Sequence, residues 1–169
     1  FTLNPFDFPV EGVKAWACSG TPSDCVRAGS LFLMPDRPDV VLSGINHGYN
    51  VASDIQYSAT AGAAFEASFQ GYTGIALSEN ACDCHEAADA YLEEVLDRLI
   101  GRNPGPGCIW NVNFPHDFPR NSFAPIFSSI LISPTSRDFR NWTKTTGILF
   151  PNDRTESPIA AVVFPFPSP

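Results

Sequence analysis

The sequence is short of positive charge and of long apolar runs. Its 169 residues include 10 lysines and arginines against 18 aspartates and glutamates, which gives a net charge of −8. Nucleic-acid binding needs a basic patch that pairs with phosphates, so this balance argues against a nucleic-acid partner. No apolar run reaches the roughly 18 residues of a transmembrane helix, so we also expect no membrane span.

The start of the chain lacks the marks of a leader. Residues 1–16 have neither the basic start nor the apolar centre of a signal peptide. The chain also begins at Phe1 instead of methionine, inside a stretch that is typical of a strand. We therefore expect a fragment, or a chain whose true N-terminus lies further upstream.

Cysteine occurs five times, an odd number, at positions 18, 25, 82, 84 and 108. The C-x-C of Cys82 and Cys84, with His85 beside it, raises the possibility of a metal site. Structural zinc sites use two half-sites spaced by about two to four residues, and no second half-site follows. We therefore favour ordinary reduced thiols in a cytoplasmic protein.

Strand-like and helix-like segments alternate along the first two thirds of the chain. The pattern predicts strands within residues 13–20, 40–42, 75–77 and 108–115, and helices over 21–34, from Gln56 or Ser58 to Phe69, and within 85–101. Apolar residues recur at helical spacing in the last helix, at Ala88, Tyr91, Leu92, Val95, Leu96 and Leu99. This order predicts βαβ units in a Rossmann-like, three-layer α/β sandwich with a mostly parallel sheet.

The helix over residues 21–34 has its own start signals and apolar positions. Thr21 or Ser23 is suited to cap it, with Pro22 in its first turn. The spacing of its apolar positions suits a helix, and they are Val26, Leu31, Leu33 and Met34.

After Pro115 the composition changes. Nine of the 16 prolines fall in residues 115–169, and no helical stripe is found there. Residues 128–133 and 159–164 favour strands on an irregular, β-rich arm. We therefore divide the chain into an α/β domain, residues 1–115, and a Pro-rich C-terminal arm, residues 116–169.

Small and polar residues crowd the junction "SGINHGYNVASDIQYSATAGAAFE", residues 43–66. Gly44 lets backbone approach a ligand or take a positive φ. Asn46, Asn50 and Asp54 offer oxygens that suit a hard cation. Ser58 and Thr60 begin a helix whose free N–H groups form an anion site. The same residue types are common in turns and caps, so plain turn chemistry, with Ser58 as a helix cap only, stays open.

Three ordered motifs resemble those of the SurE family, the survival protein E nucleotidases and acid phosphatases. They are "GTPSDCV" at 20–26, "PDVVLSGINHGYNVASDIQYSATAGAAFEA" at 38–67, and "NVNFP" at 111–115. The resemblance covers roughly residues 2–115, about two thirds of the chain. It implies a Rossmann-like fold and metal-dependent hydrolysis of nucleoside 5′-monophosphates, with Mg²⁺ or Mn²⁺ as the cofactor. It also implies a homodimer or a larger assembly such as a homotetramer.

The resemblance implies roles for particular residues. The family holds its ion with two adjacent aspartates of an "NDDG" motif, a serine, and the asparagine of "SGIN", which is Asn46 here. Ser58 and Thr60 correspond to the residues on the phosphate side, while Asn50 and Asp54 match polar positions of the same loop. The sequence contains no "NDDG", so three of the four implied ligands are missing from it.

Three hypotheses follow. The first is a metal-dependent 5′-nucleotidase, whose intact form carries the aspartate pair upstream of Phe1. The second is a non-catalytic module that binds phosphate or nucleotide without the aspartates. The third is a structural subunit that binds neither metal nor nucleotide.

Several other reactive residues have ordinary structural interpretations. We expect Asp24 to be a helix cap or hydrogen-bond partner, Cys25 to be packed, and His47 to face solvent in a loop. The three tryptophans are expected in the core or at an interface, and they are Trp16, Trp110 and Trp142.

Overall fold

The computed structural model describes residues 1–116 and the backbone of residues 126–131. The strands are β1 (Leu3–Phe6), β2 (Ala15–Cys18), β3 (Val40–His47), β4 (Thr73–Glu79), β5 (Cys108–Phe114) and β6 (Ile126–Leu131). The α-helices are α1 (Pro22–Ala28), α2 (Ala59–Phe69) and α3 (Glu86–Leu99). A π-helical turn, Gly29–Leu33, follows α1, and a 3-10 turn, Ala52–Gln56, precedes α2.

Three parallel strands form the centre of the main sheet. Its order is β3-β4-β5-β6, in which β3, β4 and β5 are parallel and β6 runs antiparallel to β5. Strands β1 and β2 form a separate antiparallel pair. The carboxyl ends of β3, β4 and β5 therefore lie at one edge of the sheet, where a ligand of an open α/β sheet is expected.

Helices cover both faces of this sheet. Alternate strand residues on one face pack against α3 in a cluster that contains Val40, Ile75, Leu77, Val112, Phe114, Val95 and Leu99. The opposite residues of the strands meet α1 and α2 in two clusters that contain Val26, Val41, Ala63, Ala67, Ala64, Phe65, Ala76 and Ile109. The predicted three-layer α/β fold with a mostly parallel sheet is confirmed.

Helix α2 lies close to the sheet because its inner face is built from small residues. Ala61, Ala63, Ala64 and Ala67 are all fully buried. A Cβ at Gly74 of β4 would overlap the carbonyl of Ala64, so only glycine fits beneath the helix. The helix begins at Ala59 after the cap Ser58, within the predicted limits, and Gly71 follows its end with φ +84°.

Helix α1 starts as predicted and ends earlier. The Thr21 hydroxyl accepts from the Asp24 amide at 3.2 Å, and Asp24 Oδ2 accepts from the Thr21 amide at 2.8 Å. This capping box confirms Asp24 as a structural hydrogen-bond partner. The prediction of one helix to Met34 is wrong, because α1 ends at Ala28 and a π-helical turn follows from Gly29. Leu31 and Phe32 on that turn are 53% and 76% exposed.

β3 and β4 are longer than predicted, β2 and β5 lie within their predicted ranges, and α3 is confirmed. β3 does not end at Gly44 but continues to His47, which is exposed as expected. Trp110 packs at the edge of the α3 cluster, and its Nε1 donates to Arg102 O at 2.8 Å. Cys25 is buried as predicted, and burial raises the pKa of its thiol to about 12.

The predicted C-terminal arm lies mostly outside the described residues. β6 falls close to the strand predicted at 128–133. The strand predicted at 159–164 and Trp142 lie outside the described part of the chain. No helix among residues 1–116 is long and apolar enough to cross a bilayer.

Candidate functional site

The polar junction of residues 43–66 begins with a bulge at the end of β3. The β3–β4 register shifts between Ser43 and Asn46, so β3 has one residue more than β4 there. Gly44 has φ +123°, and a Cβ on it would overlap the carbonyl oxygen of Leu77. The Gly44–Ile45 peptide bond is cis. Because a bulge redirects the side chains that follow it, this glycine sets the direction of Asn46.

Asn46 lies half-buried near the tip of β3. Its Nδ2 donates to the carbonyl of Gly48 at 2.8 Å. This bond fixes the orientation of the amide group, and in the described residues its Oδ1, the atom that a metal would bind, accepts no hydrogen bond. The Gly48 amide in turn donates to Glu79 O at 2.9 Å and fastens the loop to β4.

Asn50 is the centre of a buried hydrogen-bond network. It is 1% exposed, and its backbone N–H donates to Asn113 Oδ1 at 2.9 Å. Its carbonyl accepts from Asn111 Nδ2 at 2.8 Å, and its own Oδ1 accepts from the Ser58 hydroxyl at 2.6 Å. Ser78 of β4 also donates to Asn113 Oδ1. The network therefore fixes the loop after β3 to β4, to β5 and to the start of α2.

The side chain of Asn50 carries a donor that is not paired within this network. In the described part of the chain, the buried Asn50 Nδ2 meets no acceptor. A buried donor of this kind costs about 1–3 kcal/mol unless a partner reaches it. Asn50 therefore has a donor that an anionic ligand could satisfy beside the start of α2.

The start of α2 is the second part of the junction. Ser58 Oγ accepts from the Ala61 amide at 3.1 Å while its own proton goes to Asn50. Ser58 is thus a helix cap, as one sequence interpretation allowed. Within the described residues, the amides of Ala59 and Thr60 have no acceptor, since an α-helix leaves its first N–H groups unpaired. These amides, more than the Ser58 hydroxyl, are the donors available to a phosphate.

Thr60 and Asp54 occupy different environments. Thr60 is 9% exposed on the inner side of the first turn of α2. Asp54 lies exposed on the 3-10 turn before the helix. The structure therefore brings Asn50, Ser58 and Thr60 together, while Asp54 lies on the outer surface of the same junction.

The ends of β4 and β5 add further polar groups to this edge. Glu79, the last residue of β4, is 8% exposed, and His85 Nδ1 lies 2.9 Å from its Oε1. The hydrogen bond and charge of Glu79 raise the pKa of His85. Beyond them, Cys82 and Cys84 of the loop after β4 lie beside His116 of the loop after β5.

The cysteines differ from expectation. Cys18, Cys25 and Cys108 are free thiols, as predicted. Cys82 and Cys84 are bonded to each other as a disulfide, so the expectation of reduced thiols is wrong for this pair.

The described residues do not by themselves fit Mg²⁺ or Mn²⁺. Such a cation takes about six oxygen ligands and relies on carboxylates for charge, whereas Asn46 offers one neutral oxygen. Among residues 1–116, the group of three or more potential His, Cys, Asp or Glu ligands is Cys82, Cys84 and His116, which contains no carboxylate. Asn46 therefore does not form such a site with the described residues alone.

Sequence reasoning missed the roles of Asn111, Asn113 and Ser78. The "NVN" stretch was recognised only as part of a family motif, yet its two asparagines hydrogen-bond to the Asn50 backbone. A signal was present: asparagine is depleted in strands, and two of them alternate in a strand whose other residues are apolar. Such residues face the sheet interior only when their hydrogen bonds are satisfied.

These features define an α/β protein with a polar loop and an open helix start at the carboxyl edge of its sheet. Residues 3–134 match the family model described as Survival protein SurE. The chain belongs to the SurE family.

Similar proteins support the assignment. The chain is 44% identical over 117 residues to the 5′-nucleotidase SurE of Synechococcus elongatus, a match that covers 68% of this chain and 44% of the relative. It is 51% identical over 106 residues to the 5′-nucleotidase SurE of Synechococcus sp. strain CC9311, covering 62% and 40%. The crystal structure of the SurE protein from Aquifex aeolicus matches 69% of this chain and 47% of that chain, with a TM-score of 0.57 and 29% identity. The chain thus spans less than half the length of these relatives.

Proposed function

We propose that the full-length protein hydrolyses nucleoside 5′-monophosphates as a metal-dependent 5′-nucleotidase. The proposal is supported by membership of the family and by relatives that are named 5′-nucleotidase SurE. The structural observation that carries it is the buried Nδ2 of Asn50, a donor without an acceptor beside the uncapped amides of α2. A phosphate supplies the acceptor oxygens that these donors lack.

The residues of the junction have different roles in this proposal. The amides of Ala59 and Thr60 and the Nδ2 of Asn50 would bind phosphoryl oxygens and hold the phosphorus in one position. Ser58 orients Asn50 through the 2.6 Å hydrogen bond. Gly44 keeps the backbone close to β4, and Asp54 lies at the outer rim, where it would contact substrate or solvent.

Asn46 would supply one neutral oxygen to a divalent ion, Mg²⁺ or Mn²⁺. When bound, such an ion neutralises phosphoryl charge and lowers the pKa of a bound water. The paired aspartates that the family resemblance implies do not occur in these 169 residues, so the ion's charged ligands would come from elsewhere in the full-length protein. We also propose a cytoplasmic location and a homodimer or homotetramer.

A second function, non-catalytic binding of a phosphate or nucleotide, is favoured by one observation. The donors at Asn50 and α2 need no metal, and no carboxylate-containing ligand group accompanies Asn46 in the described part of the chain. A module of this kind would bind nucleotide equally well after chelation.

Phosphate release from AMP and GMP by the full-length protein tests the proposal, in Mn²⁺ and in EDTA. We expect activity that EDTA abolishes. Asn46→Ala should lower activity by at least about 10–100-fold, because removing a metal ligand should cost no less than removing a residue that hydrogen-bonds to a ligand. Asn103→Ala is the matched control: Asn103 is exposed in the loop before β5, at the opposite edge of the sheet. We expect it to keep wild-type activity.

Two results would count against hydrolysis. A folded, Mn²⁺-loaded protein without phosphate release would contradict the nucleotidase proposal, and AMP binding that survives EDTA in calorimetry would then favour the binding module. Equal losses in the Asn46 and Asn103 variants would contradict the role of Asn46.

A further inference from the structure

Cys82, Cys84 and His116 form a compact cluster that the proposed nucleotidase chemistry does not use. Their ligand atoms, two Sγ and one imidazole nitrogen, lie within 4.8 Å of one another. His116 Nδ1 is 3.5 Å from Cys82 Sγ and 2.9 Å from Cys84 Sγ. His116 follows Cys82 by 34 positions and Cys84 by 32 positions. The three residues meet because β4 and β5 are parallel neighbours whose carboxyl ends lie at the same edge of the sheet.

We propose that the reduced form of this cluster binds Zn²⁺ through the thiolates of Cys82 and Cys84 and through His116 Nδ1. Two thiolates and an imidazole suit zinc, whereas Mg²⁺ and Mn²⁺ favour oxygen. The site is thus chemically separate from the oxygen site proposed at Asn46. Three protein ligands leave the fourth tetrahedral position for water or another small ligand.

One of the three distances between ligand atoms agrees with a zinc site, and the other two must lengthen. Zn–S and Zn–N bonds of about 2.3 and 2.05 Å place sulfur and nitrogen about 3.6 Å apart in a tetrahedron. The Cys82–His116 distance of 3.5 Å matches this value. The Cys84 sulfur lies nearer, and two zinc-bound sulfurs stand about 3.8 Å apart, so the sulfurs must separate. Breaking the Cys82–Cys84 bond permits that movement.

Zinc binding is therefore linked to the redox state of the pair. A dithiol reductant delivers two electrons and two protons to the Cys82–Cys84 bond, giving two thiols, and itself closes to a disulfide. Zn²⁺ then replaces the two thiol protons, which are released. In the reverse step a small-molecule disulfide exchanges with the two thiolates: it takes two electrons and, with two protons from solvent, becomes two thiols, while the Cys82–Cys84 bond closes and the ion leaves.

The structure selects His116 over the neighbouring His85. The His85 Nδ1 is already engaged by Glu79 Oε1 at 2.9 Å, at the start of α3. The position of His116 is supported by its backbone N–H, which donates to the Tyr49 hydroxyl at 3.1 Å. A zinc ion would consequently tie the loops after β4 and β5 together, and through His116 it would reach the loop after β3.

Co²⁺ and Zn²⁺ titrations of the full-length protein test this site without reference to enzyme activity. The protein is reduced with a phosphine, which takes oxygen from water as it reduces the disulfide. Co²⁺ binding is then followed by thiolate-to-cobalt charge-transfer absorption, a signal that an all-oxygen site does not give. Zn²⁺ affinity is measured by competition with a chromophoric chelator.

We expect the charge-transfer signal in the reduced protein and no signal before reduction. Cys84→Ser and His116→Ala should each weaken Zn²⁺ binding by at least about 10–100-fold. The matched controls are Cys108→Ser, a free cysteine at the start of β5, and His85→Ala, and both should bind as the wild type does.

Three results would overturn the proposal. One is a reduced wild-type protein that binds no more Co²⁺ or Zn²⁺ than a Cys82→Ser/Cys84→Ser double variant. Another is unchanged Zn²⁺ affinity in a folded His116→Ala variant. The third is a loss of Zn²⁺ affinity in His85→Ala but not in His116→Ala, which would mean that His85, and not His116, binds the ion.

Discussion

The loops that follow β3 and β4 leave neighbouring parallel strands, and they hold their polar groups in opposite ways. After β3, Asn50 is almost completely buried and is bonded to groups on β5 and at the start of α2. After β4, Cys82 and Cys84 are half-buried and meet an exposed His116. The first loop is a fixed support; the second presents reactive atoms to solvent.

Burial explains this difference. A buried polar group must find partners within the protein, so each additional partner restricts the loop to one arrangement. Half-buried sulfur atoms and an exposed imidazole exchange protein contacts for water at little cost, and the sulfurs remain open to reduction and then to a metal. Variants in the two loops should accordingly differ in stability more than in any other property.

The largest effect on stability is expected from Gly44→Ala, which alters the entry to the first loop. The new Cβ would overlap Leu77 O at a residue with φ +123°, so we expect a loss of about 3–5 kcal/mol in the free energy of unfolding. Gly101→Ala is the control, because its φ is +81° and its Cβ would meet no atom within 4 Å. Backbone strain alone should cost about 1–2 kcal/mol there. Equal losses in urea denaturation would show that overlap with β4 is unimportant.

A smaller loss is expected from Asn113→Ala, which removes an acceptor from the buried network. The Asn50 amide and the Ser78 hydroxyl both donate to Asn113 Oδ1, and we expect a loss of about 2–3 kcal/mol. Asn103→Ala, at an exposed site, should cost less than about 1 kcal/mol by the same denaturation measurement. A loss below that level in Asn113→Ala would mean that the loop after β3 is held by other contacts.

The smallest effect is expected in the second loop. With the protein reduced and treated with chelator, Cys84→Ser should change the free energy of unfolding by no more than about 0.5 kcal/mol, because the side chain is half-exposed. Cys25→Ser places a hydroxyl in a buried apolar site and should cost about 1–3 kcal/mol. If thermal or urea unfolding gave a large loss for Cys84→Ser without metal, the two loops would not differ as described.

Local patterns predicted the elements well where one periodicity applied along the segment. The apolar stripe of α3 and the limits of α2 were both predicted from sequence. The prediction of one helix over residues 21–34 was wrong because a π-helical turn replaces the α-helix from Gly29, and no local sequence pattern indicates that turn.

For the candidate site, motif order placed Asn46, Asn50 and Ser58 in one junction, and the structure brings them to one edge of the sheet. The separate role of each of these residues was not predictable from the sequence. Whether Ser58 binds a ligand or caps a helix depends on the destination of its single proton, which goes to Asn50. That destination is set by the packing of α2 against the loop.

The sequence by itself determined the fold class, the order of the strands and helices, and the family, because these depend on short-range periodicity and contiguous motifs. Only the tertiary structure decided which distant residues share a site. Asn113 reaches Asn50 across 63 positions, and His116 reaches the cysteines because parallel strands bring their carboxyl ends to the same edge. Such contacts follow from strand pairing and register, which spacing along the chain does not encode.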